Sequence, residues 1–414
     1  MDIAFSNTFK ILANYLLDIP LHSLPSFDLE KSYKIAMHHE MTTVFCAAVL
    51  KLCKSGVLEI EPDKQKQLRS LLVKKSIKNG ENFEKINKFL KDNFNGKINY
   101  AIIKGYSLTE FYPYEEYRES CDTDILIDVC DETKVLKILD ANDFIVKMRV
   151  EGGNHSKCYS REYGLLELHI SLFYETVKNE WFGGFDADLH NLRYVNEMPT
   201  LNIKDSFLFL VFHSFKHFVS NVFNLKQFFD IILFLKKYSG KLNSFEINEF
   251  LKELKIDNFL SAVLTIAKNC LDLNVKDWYY FEDSAFYEDL IEDMYAGGCY
   301  GFEKEKHGDM FEVFYYEKLQ SSKGNSAKKT ATDWRRKSAL KTASFSVSNM
   351  KKRYSFVNEK IYMLPVAWLK HSAYIIKTVT KRPKLLSDSI NYRPKEIDDL
   401  QEKRLEIMKK MGLL

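Results

Sequence analysis

The stretch ESCDTDILIDV, residues 119–129, decides how the rest of the chain is read. Its apolar residues suit a buried strand, yet Asp122 and Asp124 stand two positions apart within it. Successive side chains alternate along a strand. Asp122, Asp124, Leu126 and Asp128 therefore share one face, and Thr123, Ile125 and Ile127 the other. Two ionised carboxylates side by side repel, and burying them unpaired is costly. Two readings follow. Either the strand ends at a sheet edge where both aspartates meet water, or a cation is held between them.

The flanking sequence favours the cation. Upstream, AIIKGYSLTEFYP (101–113) reads as an apolar strand ending at Lys104-Gly105 and running into a short helix. Gly105 permits close backbone approach, Ser107 and the helix start offer donors to an anion, and Lys104 adds positive charge. Downstream, GLLELHISL (164–172) places Glu167 and His169 on one strand face by the same period of two. A third carboxylate on a neighbouring strand completes what a divalent cation needs. Mg²⁺ prefers oxygen ligands and retains water and substrate phosphates in its shell.

A glycine turn, a D-x-D strand and a later strand with one more acid resemble the polymerase-β-type nucleotidyltransferase superfamily. The longer pattern IIKGYSLTEFYPYEEYRESCDTDILIDV, then LLELHISL, then FHSFKHF and LKQFFDIILFL, is similar to the uncharacterised bacterial nucleotidyltransferase family often found beside surface-polysaccharide genes. The resemblance covers about residues 30–240. It implies an α+β fold: a small mixed sheet with flanking helices, embedded in largely helical N- and C-terminal regions. It implies that Asp122, Asp124 and Glu167 are catalytic and bind two Mg²⁺ (or Mn²⁺) ions, with Glu167 helping to deprotonate the acceptor hydroxyl. Lys104, Gly105 and Ser107 would line the triphosphate of an NTP, and Arg118 could meet a phosphate. The turn reads Gly-Tyr-Ser where many relatives show Gly-Gly or Gly-Ser.

Several histidines remain. His169 could orient Glu167 or touch substrate, and His155, after the glycines of EGGNHSKCY, is a candidate acceptor contact. His213 and His217 lie one helical turn apart. They either pack among Phe212, Phe215 and Phe218 or, on the resemblance, line the nucleotide or acceptor cleft. Two other classes stay open: a D-x-D glycosyltransferase using a sugar nucleotide, and a non-catalytic nucleotide-binding module.

With 414 residues, 46% hydrophobic and 28% charged, the composition is that of a globular protein large enough for several cores. Four zones are expected: a helical region over 1–95, the catalytic core over 96–200, a helical substrate-side domain over 201–320 and a basic, mostly helical region over 321–414. No apolar run is long enough to span a bilayer, and the seven cysteines form no C-x-x-C pair, so a cytoplasmic setting is expected. Charge is uneven. From Ser321 onward, 22 Lys/Arg face 8 Asp/Glu, which leaves a net of −11 on the first 320 residues given the chain's +3. Such a basic region suits docking on the protein's own acidic body, an anionic membrane surface or RNA, in that order.

Overall fold

The computed structural model describes residues 2–120, 122–148, 154–173, 178–179, 181–220, 223–297, 347, 350, 361–381 and 399–413. The chain divides into two compact units, Met1–Gly308 with Lys410–Leu413, and Asp309–Lys409 with Leu414. The first opens with four helices: α1 (Ile3–Leu17), α2 (Leu29–His38), α3 (Thr42–Lys54) and α4 (Pro62–Phe94). Local chemistry sets their starts. The Asp2 carboxylate accepts from the Ala4 and Phe5 N–H groups, and Pro62, which has no N–H to lose, begins α4.

A seven-stranded mixed sheet follows: β1 (Tyr100–Ile102), β2 (Asp122–Ile127), β3 (Ile145–Lys147), β4 (His155–Ser160), β5 (Gly164–His169), β6 (Leu192–Val195) and β7 (Met198–Leu201). Its order is β3-β4-β5-β2-β1-β7-β6, with β2–β5 and β1–β7 parallel and the other pairs antiparallel. Helix α5 (Glu132–Ala141) connects β2 to β3. This is the α+β arrangement expected from the sequence: a mixed sheet with flanking helices. The β6–β7 hairpin was not anticipated. Its turn residues Asn196 and Glu197 both have positive φ, 49° and 66°, as a two-residue type I′ turn demands.

The alternation in β2 sorts the sheet into two faces. Ile125, Ile127, Leu166, Leu168 and Cys158 join Phe89, Leu90 and Phe94 of α4 and Val135 and Leu139 of α5 in one buried core. The residues between them, Asp122, Asp124, Glu167 and His169, are thereby left on the opposite face. Beyond the sheet lie α6 (Ile203–Ser220), α7 (Leu225–Tyr238), α8 (Ser244–Glu253), α9 (Asp257–Leu271) and α10 (Tyr287–Gly297).

Within the first unit, Asn258 of α9 donates to the Met411 carbonyl at 3.0 Å and Lys410 pairs with Asp289 at 3.3 Å. In the second unit a helix runs over Leu364–Lys381, and Met350 and Ala367 are buried together against Leu364. The Ser/Lys/Gly-rich stretch at 321–334 and most of the basic region lie outside the described residues. Among the described residues no helix is long and apolar enough to cross a membrane.

Helix α2 ends on a fully buried histidine. His39 Nδ1 accepts from the Leu225 N–H, the first residue of α7, at 3.2 Å, and Phe5 packs beside the ring. Burial, with a smaller effect from His38, pulls its pKa down to about 3. The unfolded chain protonates His39 near its ordinary 6.5, whereas the folded chain does not until about 3. Between those values the unfolded state binds one more proton. Stability should therefore fall as pH drops below about 6.5, His39 contributing about 1.4 kcal/mol per pH unit. Urea unfolding between pH 7 and pH 5 should show a shallower pH slope for His39→Asn than for the wild type. Equal slopes would refute the assignment.

Candidate active site

The cluster begins with strand register. β2 and β5 run parallel with Asp124 opposite Glu167, and β5 and β4 run antiparallel with Lys157 opposite Glu167 and His155 opposite His169. One sheet face therefore gathers Asp122, Asp124, Glu167, His169, His155 and Lys157. Oxygens of Asp122, Asp124 and Glu167 lie within 4.8 Å of one another. Asp124 and Glu167 are buried and Asp122 is half-buried.

Crowded carboxylates need positive charge, and Lys104 supplies it from the end of β1. Its Nζ lies 3.0 Å from Asp124 Oδ2 and 3.9 Å from Asp122 Oδ2. Burial opposes the charge on Lys104, but Asp124 and Asp122 outweigh it and hold the ammonium above its ordinary range. The two aspartates are driven apart in acidity. Burial would raise Asp124, yet Lys104 and a hydrogen bond from His169 hold it below the usual carboxylate range. Asp122 is raised, by burial first and then by Asp124 and Glu167, against the pull of Lys104.

The histidines complete the face. His169 Nε2 lies 3.0 Å from Asp124 Oδ1 and 3.8 Å from Glu167 Oε2. His155 stacks on His169 with centroids 4.9 Å apart, and its Nε2 is 3.6 Å from Glu167 Oε2. Lys157 Nζ bonds Glu167 Oε1 at 2.8 Å, which raises the lysine. Burial and the neighbouring His169 lower His155. On α6, His213 and His217 stand 4.5 Å apart, with His213 also against Phe209. Both residues are half-buried. Burial, His217 and Lys104 hold His213 well below its ordinary pKa, and burial, Lys216 and Lys104 pull His217 down to about 3.

The donor set fits a hard divalent cation. Three carboxylates converge, and Asp124 Oδ2 is buried without an aligned hydrogen-bond donor among the described residues, although Lys104 Nζ is close.

The glycine turn is held from behind. Gly105 has φ +67°, and a Cβ there would meet Ser120 Oγ at 3.0 Å, so only glycine fits without strain. Its carbonyl accepts from Arg118 Nη1 at 3.0 Å. Arg118 is buried, and its Nε and Nη2 donate to Asp230 of α7 at 3.1 and 2.7 Å. The Tyr112 hydroxyl joins Asp230 at 2.9 Å. The reading of Arg118 as a phosphate contact gives way to this geometry, because its donors serve Asp230 and Gly105. Ser107 is buried within a short 3₁₀ helix, Gly105–Phe111.

Sequence reasoning overlooked Asn154, Lys157 and Asp230. Lys157 could have been found by continuing the period of two from His155. Asp230 stands out as the one acid in the apolar run LKQFFDIILFL. Asn154 is buried, and its amide contacts both His155 and His169.

Residues 25–272, more than half of the chain, match the family described as an uncharacterised nucleotidyltransferase. Neither a curated protein nor a solved structure matches the chain at a significant level. The chain belongs to this nucleotidyltransferase family.

Removing Asp230 would leave the Arg118 guanidinium buried without a counter-ion. Asp230→Ala should cost about 3–5 kcal/mol of stability in urea unfolding, and Asp230→Asn, which keeps a hydrogen-bond acceptor, should cost less. Wild-type stability in Asp230→Ala would show that the pair does not hold the turn.

Proposed function

We propose, from membership of that family, that the protein transfers a nucleoside monophosphate from an NTP to a hydroxyl acceptor and releases pyrophosphate. The observation that carries this reading is the convergence of Asp122, Asp124 and Glu167 on one sheet face, next to a glycine turn that carries Lys104. Asp122, Asp124 and Glu167 would hold Mg²⁺ or Mn²⁺, which supplies neutralisation of phosphate charge and polarisation of the α-phosphate. Lys104, Gly105 and Ser107 line the triphosphate in this reading. Lys104 already sits beside the aspartates and can turn its charge to a phosphate oxygen.

In the transfer itself, the acceptor oxygen forms a bond to the α-phosphorus while the bond from that phosphorus to the β-bridging oxygen breaks. The electron pair leaves with pyrophosphate, and the acceptor proton passes to Glu167, whose Oε2 faces the histidine side of the site. Catalysis then rests on positioning and charge placement. His169 orients Asp124 through its 3.0 Å hydrogen bond, and Lys157 holds the other oxygen of Glu167. His155, His213 and His217 line the acceptor and nucleotide side. Within this proposal residues 96–200 are the catalytic core and helices α6 to α10 form the substrate side, with an acceptor belonging to surface-polysaccharide metabolism and a cytoplasmic setting.

Purified protein incubated with each of ATP, GTP, CTP and UTP, Mg²⁺ or Mn²⁺, and an extract of small metabolites should yield pyrophosphate and a product heavier by one nucleoside monophosphate, read by mass spectrometry. Asp122→Asn should lower this turnover by at least about a hundredfold. The fold should remain intact, because burial first, and then Asp124 and Glu167, disfavour the charge on Asp122 that the change removes. Unchanged turnover in Asp122→Asn would overturn the mechanism. A glycosylated product from a sugar nucleotide would replace it with the glycosyltransferase reading.

A further inference from the structure

Helices α3 and α4 pack against each other, and a cavity of about 410 Å³ opens where the end of α3 meets the first turns of α4. Leu50, Lys51, Cys53 and Lys54 line it from α3, and Gln65 and Arg69 from α4. Three of these side chains are cationic and none is a carboxylate. Like charges gathered around one cavity repel, so something has to neutralise them.

The protein supplies little of that neutralisation. Asp18 is the single carboxylate among the described residues that reaches any of the three cations. It lies 3.9 Å from Lys51 Nζ and is shared with Lys236 at 3.8 Å. Lys54 and Arg69 have no carboxylate partner among the described residues. Lysines in the last turn of α3 do suit its helix dipole, which accounts for part of the excess. It does not account for Arg69, which stands about two turns into α4.

The lining is also held in place. Lys51 Nζ lies over the Tyr15 ring, 5.4 Å from its centroid, and Tyr117 stacks on Tyr15. Gln65 donates through Nε2 to the Ile60 carbonyl at 3.1 Å. A guanidinium presents paired donors that match phosphate oxygens, and the two ammonium groups add point charges beside it. Leu50 and the half-buried Cys53 give the cavity an apolar wall. Its volume falls within the roughly 300–1,000 Å³ of small-molecule sites, more than a bare phosphate fills.

We propose that this cavity binds a small phosphate ester, its phosphate gripped by Lys51, Lys54 and Arg69 and its carbon part lying on Leu50 and Cys53. None of the lining residues belongs to the sheet, so the site is separate from the carboxylate cluster, and the proposal does not rest on the transfer reaction. A ligand here bridges α3 and α4, the two helices that hold Glu119 through Thr43 and Lys75.

Cys53 reports on the site, because a ligand that fills the cavity covers its thiol. AMP, as a phosphate ester, is titrated into the full chain in EDTA without divalent ions. Alkylation of Cys53 by iodoacetamide is then followed by peptide mass mapping. Saturating AMP should slow Cys53 by at least about fivefold and leave the exposed Cys130 unchanged. Sodium chloride at equal ionic strength should not protect. Lys54→Ala and Arg69→Ala replace exposed side chains, so both should fold. Each should raise the AMP concentration for half-protection by about tenfold. Lys78→Ala, further along α4, should not. No protection, protection matched by salt, or protection that survives in both Lys54→Ala and Arg69→Ala would overturn the proposal. Protection by an oligothymidylate but not by AMP would also overturn it and assign the surface to single-stranded nucleic acid.

Discussion

Asp124 sits directly opposite Glu167 on neighbouring parallel strands, with Asp122 two residues away, and three carboxylates at that spacing repel unless positive charge is built in around them. The sheet answers from three sides. Lys104 enters from the end of β1, Lys157 from β4 and the His169 N–H from β5 itself. Each comes from a strand that also contributes to the core on the reverse face or runs directly into the turn beside it. The packing that holds β1, β2, β4 and β5 together is therefore the same packing that aligns the charges. A slip of one residue in β5 would move Leu166 to the polar face and Glu167 into the apolar core.

The carboxylate cluster was legible because a period of two is a strict rule. Asp122, Asp124 and Glu167 had to face the same way once both segments were strands on one sheet, and the alternating isoleucines and leucines announced the strands. The parallel pairing of β2 with β5 was not legible, since it depends on where β4 turns back. The β6–β7 hairpin was missed because its turn, Asn196-Glu197, lacks the glycine that usually marks a type I′ turn. Asp230 was hidden for a different reason. Its partner, Arg118, is 112 residues away in sequence, and no local pattern links an acid in an apolar helix to an arginine ahead of a strand. Asn154 was unreadable because its amide reaches His169 and the Ser171 and Leu172 carbonyls across a strand pair that no local pattern joins.

The helical parts serve the same geometry from outside. Glu119, three residues before Asp122, accepts from the Thr43 N–H and hydroxyl at the start of α3 and pairs with Lys75 of α4 at 2.6 Å. Lys226, at the start of α7, is paired with Glu40 and also donates to the Glu119 carbonyl at 3.5 Å. The segment leading into the D-x-D strand is thus tied to N-terminal and C-terminal helices together. These ties are partly buried charge-assisted hydrogen bonds, the stronger kind.

The Arg118–Asp230 pair also bears on where the chain can be divided. By texture, the sheet region ends near residue 200 and would pass for a self-contained domain. A polypeptide cut there would enclose a guanidinium with no anion to meet it and would leave the Gly105 turn without its anchor. The smallest fragment able to fold by itself must reach past Asp230. For inheritance by recombination or domain shuffling, the sheet and helix α7 travel as one indivisible piece.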